Sequence, residues 1–288
     1  MSELLAFAQK MAREAGELLL QSDQERQTVY SKSTDIDLVT SADLASEKLL
    51  VDAIRAQYPA HSILSEEGLG ELVNLVSSET GGHPAEGVDA VAAATSHLWL
   101  VDPLDGTVNY AHGYPCWGVT LAFAEHGRVV LGVVYDPLRD EMYWAEQGQG
   151  AWCNGRQLHV SRTSQLGEAL VATGFAYRRA TLDDTSHGEV LGNNLAEFGV
   201  IMPRVQGVRR AGAAVLDLAY LAAGRLDAYW EMYLNPWDWA AGSLLVEEAG
   251  GAVTGLYGQP WSLGKQHLAA SNGYLHSQLV EMLAEARA

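Results

Sequence analysis

The chain has 288 residues, of which 48% are hydrophobic and 19% charged, so it can form one large domain or two ordinary ones, and disorder is not expected. Its 36 acidic and 18 basic residues give a formal net charge of −18, which argues against direct binding to nucleic acid or to an anionic membrane surface. The two cysteines, Cys116 and Cys153, are too few for a disulfide framework, and we expect buried free thiols in a reducing compartment, by default the cytoplasm.

The first third of the chain predicts two amphipathic helices and one short strand. Apolar residues at helical spacing indicate helices over 3–22 and 41–59, and charged residues interrupt the first too often for a signal peptide. A strand over 61–68 ends in two glutamates, and a glycine-, serine- and alanine-rich excursion over 68–96 is expected to be partly mobile. No segment approaches the roughly eighteen uninterrupted apolar residues of a membrane span.

The rest of the chain changes from antiparallel structure to alternating strands and helices. Residues 97–103 predict a strand, 117–137 a hairpin around His126-Gly127, and 141–155 further antiparallel structure. Beyond about residue 164 the predicted strands and helices alternate: strands over 169–175, 205–209, 226–231 and 267–272, and helices over 183–198, 212–224, 237–250 and 274–287. We therefore expect a layered sandwich of α+β and α/β character, with an α+β domain over 1–163 and an α/β domain over 164–288 that completes a shared site.

The segment "WLVDPLDGT" (99–107) carries the strongest chemical signal. A buried strand runs into Asp102 and Asp105, and the intervening proline and following glycine permit a sharp turn, so that both carboxylates can project to one side. The amides of Gly106 and Thr107 could begin a helix-like turn that faces an anion, and carboxylate oxygens suit Mg²⁺ together with a phosphate. A β-turn in which both carboxylates cap local amides would explain the hexapeptide equally well.

Three other segments place acidic residues at similar positions. Glu66 and Glu67 end the strand over 61–68, and Asp43 and Asp238 each lie at the start of a predicted helix. Each has an ordinary explanation alone, because an aspartate that opens a helix is usually a cap. Four acidic segments at strand ends or helix starts together favour a common site.

Over nearly its whole length the chain resembles the inositol monophosphatase family of lithium-sensitive, Mg²⁺-dependent phosphatases. The resemblance is carried, in order and spacing, by "DLVTSAD", "SEEG", "WLVDPLDGTVNYAHGYP", "GVVYDP", "GQGAWCNG", "GVRRAGAAVLDLAYLAAGRLDAYWE" and "NPWDWAAGSLLVEEAGG". It implies the layered fold that this family shares with fructose 1,6-bisphosphatase. It also implies a homodimer that acts on a small phosphorylated substrate.

The resemblance also implies a set of metal ligands. The first ion would be held by Glu66, Asp102 and the carbonyl of Leu104. A second would lie between Asp102, Asp105 and Asp238, and a third, weaker ion would use Glu66 again. We therefore expect two to three Mg²⁺ ions, with Mn²⁺ as an alternative.

The same resemblance assigns the groups that handle water and phosphate. The amides of Gly106 and Thr107 would bind the phosphate. Thr107, hydrogen-bonded to Asp43, would orient and deprotonate the attacking water together with Glu66.

Further substrate contacts are implied outside that centre. Lys32 falls on a mobile loop that closes over the phosphate region, and Ala214 and Glu231 match positions that contact a sugar-like ring. Asn109 matches the branch of the family that acts on inositol phosphates rather than on 3′-phosphoadenosine 5′-phosphate.

The expected function is hydrolysis of a small phosphorylated polyol, inositol 1-phosphate first, by Mg²⁺-dependent attack of water. Positioning and charge stabilisation supply most of what phosphoryl transfer needs, so no covalent nucleophile is required. Fructose 1,6-bisphosphatase, histidinol-phosphate phosphatase and 3′-phosphoadenosine 5′-phosphate phosphatase are alternatives on the same site. A regulatory or binding protein on this fold, contacting RNA or transcription machinery, is the alternative from another class. The intact carboxylates favour retained catalysis and the net charge argues against direct RNA affinity, which leaves protein-mediated regulation alongside catalysis open.

Overall fold

The computed structural model describes residues 2–23, 29–31, 38–70, 88–175 and 194–287. These residues form alternating layers of helix, sheet, helix, sheet and helix. The layered α+β fold predicted from the sequence is therefore confirmed. The predicted contact residue Lys32 lies outside the described residues.

The first two layers are a helix pair and a seven-stranded sheet. Helices α1 (Glu3–Asp23) and α2 (Ser41–Gln57) pack on one face of the sheet, and the short strands β1 (Val29–Ser31) and β2 (Leu38–Thr40) pair separately. Neighbouring strands of the large sheet are antiparallel except β3 and β4, which are parallel. The sheet follows the chain order: β3 (Ser62–Ser65), β4 (His97–Asp105), β5 (Gly118–Glu125), β6 (Arg128–Asp136), β7 (Glu141–Glu146), β8 (Ala151–Cys153) and β9 (Arg156–Gln157).

The second sheet has five strands and is mixed. Its order is β11-β10-β12-β14-β13, in which β10 is parallel to β11 and β12, and β14 is antiparallel to β12 and β13. The strands are β10 (Leu170–Thr173), β11 (Gly207–Arg209), β12 (Ala228–Met232), β13 (Ala252–Thr254) and β14 (His267–Ser271). Strand β13 was not predicted, because its three residues are too few to show a period.

The remaining helices fill the middle and outer layers. Helices α6 (Ala214–Ala222) and α7 (Pro236–Glu248) lie between the sheets, and α5 (Leu195–Ile201) and α8 (His276–Glu285) cover the far face of the second sheet. The predicted division into domains at 163/164 matches the assignment of strands to the two sheets, but α7 packs on the first sheet. The division into two domains stays a prediction.

Strand β4 shows how the sequence produces two of the three hydrophobic cores, one on each face of the first sheet. Its odd-numbered residues Trp99 and Val101 face α1 and α2, whereas Leu98 and Leu100 face α6 and α7. All four are buried, because helices cover both faces of the sheet. A third core lies between the second sheet and α5 and α8.

The predicted excursion over 68–96 differs from the structure where it is described. Residues 88–94 form a helix, α3 (Val88–Ala94), which buries Val88 and Ala92. Asp89 accepts hydrogen bonds from the hydroxyl of Ser262 at 2.7 Å and the amide of Gly264 at 2.8 Å. This end of the segment is therefore fixed to the second half of the chain, and the sequence missed it because helices of seven residues give little periodicity.

Two other expectations can be compared directly. Cys116 and Cys153 are buried free thiols, as predicted, and burial raises the pKa of both, that of Cys153 to about 11. No helix in the described part of the chain is long and apolar enough to cross a membrane.

The Glu197–Arg287 ion pair joins α5 to the end of the last helix, and it gives a stability prediction. Glu197 is 1% exposed, and the Arg287 guanidinium contacts its Oε1 through Nε at 2.5 Å. Arg287→Ala leaves this carboxylate buried without its cation, so we expect a loss of about 2–4 kcal/mol in the free energy of unfolding by urea.

A matched control is Arg204→Ala, because Arg204, in the turn that follows α5, pairs with Glu285 of α8 at the surface. Exposed pairs are screened by water, so this variant should unfold with the wild-type midpoint. Equal midpoints of urea unfolding for Arg287→Ala and Arg204→Ala would show that the burial of Glu197 does not make its ion pair more important for stability than an exposed pair.

Candidate active site

Asp102 and Asp105 lie on one side of β4 because the strand contains a bulge, not because it ends in a turn. Asp102 pairs with Thr120 and Asp105 with Gly118, so three steps on β4 oppose two on β5. Two residues three positions apart normally face opposite sides of a strand, and one extra residue brings them to the same side. The proline between them is tolerated because a bulge leaves a residue unpaired. The β-turn predicted as the alternative for this hexapeptide is wrong, although Asp102 does accept a local amide, that of Leu104.

Gly106 ends the bulged strand and begins the short helix α4 (Thr107–Ala111). Its φ of 89° lies in the left-handed region, which favours glycine. A Cβ there would also lie 2.9 Å from the carbonyl oxygen of Cys116. The helix-like turn that the sequence predicted after Asp105 is thus confirmed.

Helix α2 brings Asp43 to Thr107. Thr40 caps the helix, and Asp43 Oδ2 in turn accepts the Thr40 amide at 2.9 Å, which completes a capping box. The other carboxylate oxygen of Asp43, Oδ1, accepts the Thr107 hydroxyl at 2.9 Å. Loss of hydration raises the pKa of Asp43, and its bonds to Thr40 and Thr107 oppose that rise.

Glu66 lies in the turn after β3, next to the bulge. Its amide donates to the carbonyl of Val101 at 3.2 Å, and the charge of its carboxyl group helps to raise the pKa of Asp102. The segment that follows Glu66 is held by Glu47, a fully buried residue of α2 that lies four positions after Asp43. Its Oε1 accepts the Leu69 amide at 3.2 Å.

Asp238 repeats the arrangement of Asp43 on another helix. It is the third residue of α7, and its Oδ2 accepts the amide of Asn235 at 2.7 Å. Asp102 and Asp105 likewise each turn one oxygen to a main-chain amide, that of Leu104 at 3.0 Å and that of Val215 at 2.9 Å. Each of these aspartates is thus anchored by a main-chain amide through one carboxylate oxygen.

The carboxylates influence one another strongly. The pKa of Asp102 is raised well above its ordinary value, first by loss of hydration and then by the charges of Glu66, Asp105 and Asp238. Burial is also the main reason why the pKa of Asp105 rises to about 8. The pKa of Asp238 is raised by burial and then by Asp105 and Glu66. Four acidic groups from three separate segments therefore share one poorly hydrated region.

This region has the chemistry of a site for hard cations. Its donors are carboxylate oxygens, which Mg²⁺ and Mn²⁺ prefer. The negative charges of these carboxylates repel one another, and a divalent ion between them would offset that repulsion. Within the described residues, no three His, Cys, Asp or Glu side chains are arranged to hold a metal ion as they stand. The donor set therefore fits a divalent cation in type and charge.

The two predicted ring-contact residues lie beside this region. Ala214 is the first residue of α6, and the next amide, that of Val215, donates to Asp105. Glu231 near the end of β12 accepts the Tyr229 hydroxyl at 2.5 Å. Burial raises the pKa of Glu231 to about 7, and the charge of Arg210 opposes that rise.

Sequence reasoning missed two buried acidic residues near the site. Glu47 had the signal of its spacing, four residues after Asp43 and hence on the same helical face. Asp217 in α6 is 3% exposed, and loss of hydration and the charges of Glu231 and Asp105 raise its pKa well above the ordinary value. A lone aspartate in an apolar helix gives no comparable signal.

Comparison with known proteins is consistent with this geometry. The model of the inositol monophosphatase family matches residues 1–288. "Nus factor SuhB" of Pseudomonas aeruginosa is 43% identical over 94% of this chain and 92% of its own length. "Inositol-1-monophosphatase" of Synechocystis is 38% identical over 90% of this chain and 80% of its own. The solved inositol monophosphatase from Anabaena superposes with a TM-score of 0.79 at 38% identity, over 98% of this chain and 95% of that one. This chain belongs to the inositol monophosphatase family.

Proposed function

We propose that the protein is a Mg²⁺-dependent phosphomonoesterase for a small phosphorylated polyol, with inositol 1-phosphate as the first candidate. The observation that carries the proposal is the meeting of Glu66, Asp102, Asp105 and Asp238 next to the Thr107–Asp43 hydrogen bond. Carboxylates that can hold cations and a polarised hydroxyl that can orient water are two parts that metal-assisted phosphate hydrolysis uses.

The proposed metal ligands are the four carboxylates and the carbonyl of Leu104. Divalent cations held there would neutralise phosphoryl oxygens and favour loss of a proton from the attacking water. The anchoring of each aspartate by a main-chain amide limits the directions in which its second oxygen can point. The protein therefore restricts the ligand geometry before any ion binds.

Thr107 and Asp43 are proposed to hold the attacking water. When the Thr107 hydroxyl donates its hydrogen bond to Asp43, its lone pairs are left to accept a hydrogen bond from water. If a proton of that water moves to the Thr107 oxygen, the hydroxyl proton can pass to Asp43. Glu66 lies close enough to Asp43 to raise its pKa and supplies a second acceptor for that proton. The amides of Gly106 and Thr107, at the start of α4, are proposed to bind the phosphate, and Lys32 to approach it from its loop.

The choice of a polyol substrate is supported by two observations. Glu231 offers a carboxylate oxygen to a ring hydroxyl beside Ala214, and two of the relatives compared above are named inositol monophosphatases. We further propose that the protein acts in the cytoplasm as a homodimer and is inhibited by lithium.

The test is phosphate release with and without Mg²⁺ from a panel of substrates. The panel contains inositol 1-phosphate, fructose 1,6-bisphosphate, histidinol phosphate and 3′-phosphoadenosine 5′-phosphate, and we expect Mg²⁺-dependent release chiefly from the first. Release from another member would reassign the substrate and keep the mechanism. No release from folded protein would overturn the enzymatic proposal.

A regulatory role has one observation in its favour, the 43% identity to the protein named "Nus factor SuhB". The net charge of −18 favours contact with protein over contact with RNA. A pull-down from cell extract that recovers no stoichiometric partner would count against this role, whatever the catalytic result.

A further inference from the structure

Gly174 lies directly against the carboxylate of Glu231. It follows β10, whose last residue Thr173 pairs with Trp230 of β12. A Cβ atom at Gly174 would lie 1.8 Å from Glu231 Oε1 and 2.0 Å from its Cδ. Such distances are far below van der Waals contact, so no side chain at position 174 is compatible with the observed place of Glu231.

The main chain at Gly174 cannot retreat from this contact, because a buried network fixes it. The Asn194 side-chain amide donates to the carbonyl of Gly174 at 2.6 Å and to the Thr173 hydroxyl at 2.7 Å. Thr173 donates to the carbonyl of Trp230 at 2.7 Å, and the Trp230 indole donates to Asn194 Oδ1 at 2.6 Å. Thr173, Asn194 and Trp230 are each at most 2% exposed, and a fully satisfied buried network of this kind is rigid.

The Glu231 carboxylate is the group that can move. It is the end of a flexible side chain, and its described anchor is the Tyr229 hydroxyl at 2.5 Å from Oε2. A methyl group at position 174 would therefore displace this carboxylate and leave the two strands in place.

We propose that Gly174 is a positioning residue that sets substrate selectivity, because its missing side chain lets Glu231 stand where it accepts a hydrogen bond from a ring hydroxyl of a polyol phosphate. The inference rests on the proposed phosphatase function. The residue acts through Glu231 and does not itself contact the reacting atoms.

The experiment compares Gly174→Ala with wild type on inositol 1-phosphate and on 4-nitrophenyl phosphate, which has no ring hydroxyl. We expect the ratio of kcat/KM for the two substrates to fall about tenfold to a hundredfold, mainly through KM for inositol 1-phosphate, as for loss of a hydrogen bond to a charged group. Gly199→Ala is the control, because nothing lies within 4 Å of its Cβ position, and it should keep the wild-type ratio. Equal losses on both substrates would overturn the proposal.

A double-mutant cycle with Glu231→Ala separates positioning from general damage. Gly174→Ala should have no further effect on the ratio when Glu231 is already truncated, because the clash is gone. Additive effects would show that Gly174 acts elsewhere. If Gly174→Ala folds poorly, Tyr229→Phe can be measured in its place. This variant removes the hydrogen bond that holds the Glu231 carboxylate, and it should also lower the kcat/KM ratio. Wild-type protein without activity on either ester would overturn the proposed function, whereas an active enzyme with an unchanged ratio in Gly174→Ala would overturn this inference alone.

Discussion

Asp102→Asn is expected to lower Mg²⁺-dependent phosphate release by at least about a thousandfold, because it removes the carboxylate shared by both proposed ions. Asp102 is 1% exposed and lies at the first position of the β4 bulge. In the wild type, Asp102 Oδ1 accepts the Leu104 amide at 3.0 Å. The asparagine side chain has nearly the same shape, and its Oδ1 can accept the same hydrogen bond. The measurement is kcat/KM for inositol 1-phosphate over a titration of Mg²⁺.

The same variant makes a second, opposite prediction for stability. In chelator, wild-type Asp102 is disfavoured as an anion by burial and by Glu66, Asp105 and Asp238. Removing the ionisable group relieves that repulsion, so thermal unfolding of metal-free Asp102→Asn should occur at or above the wild-type temperature. Asp52→Asn, at an exposed ion pair with Lys48, is the control and should keep wild-type activity. Near-normal turnover in Asp102→Asn would remove Asp102 from the site.

The β4 segment shows how far sequence reasoning reached and where it stopped. The residue types in "DPLDG" indicated that the carboxylates of Asp102 and Asp105 lie on the same side of the strand. In the structure the charge of Asp105 raises the pKa of Asp102, as expected for two carboxylates on the same side. A sharp turn after the strand was expected to cause this arrangement, but a bulge within the strand causes it. A bulge and a turn use the same residues locally, and the register of β4 against β5 decides between them. That register depends on residues 118–125, which lie outside the motif.

The capping aspartates show that an ordinary local role and a functional role can coexist. Asp43 and Asp238 were expected to be either helix caps or site residues. Both occupy the third position of their helices and use one oxygen for the capping box. The second oxygen of Asp43 reaches Thr107, 64 residues away in the chain. Sequence shows the cap, because it is local, and only the packing of α2 on β4 shows the long-range contact.

The spacing of Glu47 after Asp43 was a sequence signal, but the contacts that distant segments make with one another left none. Glu47 supports the Glu66 turn, and Asn194 links Gly174 to Trp230. Each involves residue types that are common on surfaces, and their burial follows from the layering of sheets and helices. The family resemblance supplied the proposed site residues and the Thr107–Asp43 hydrogen bond, but it gave no information on these supporting contacts.

Thr107→Val is expected to lower kcat by about a hundredfold to a thousandfold, because the isosteric methyl group removes the hydroxyl that Asp43 polarises. KM and the Mg²⁺ dependence should change much less, since Thr107 donates no carboxylate to the ions. Thr107→Ser keeps the hydroxyl and should retain most of the activity. The control is Thr95→Val. The Thr95 hydroxyl, just after the end of α3, donates a hydrogen bond to the main-chain carbonyl of Val91 at 2.7 Å. If Thr107→Val kept wild-type kcat, or lost it only together with Mg²⁺ affinity, the water-positioning role of the Thr107–Asp43 pair would be wrong.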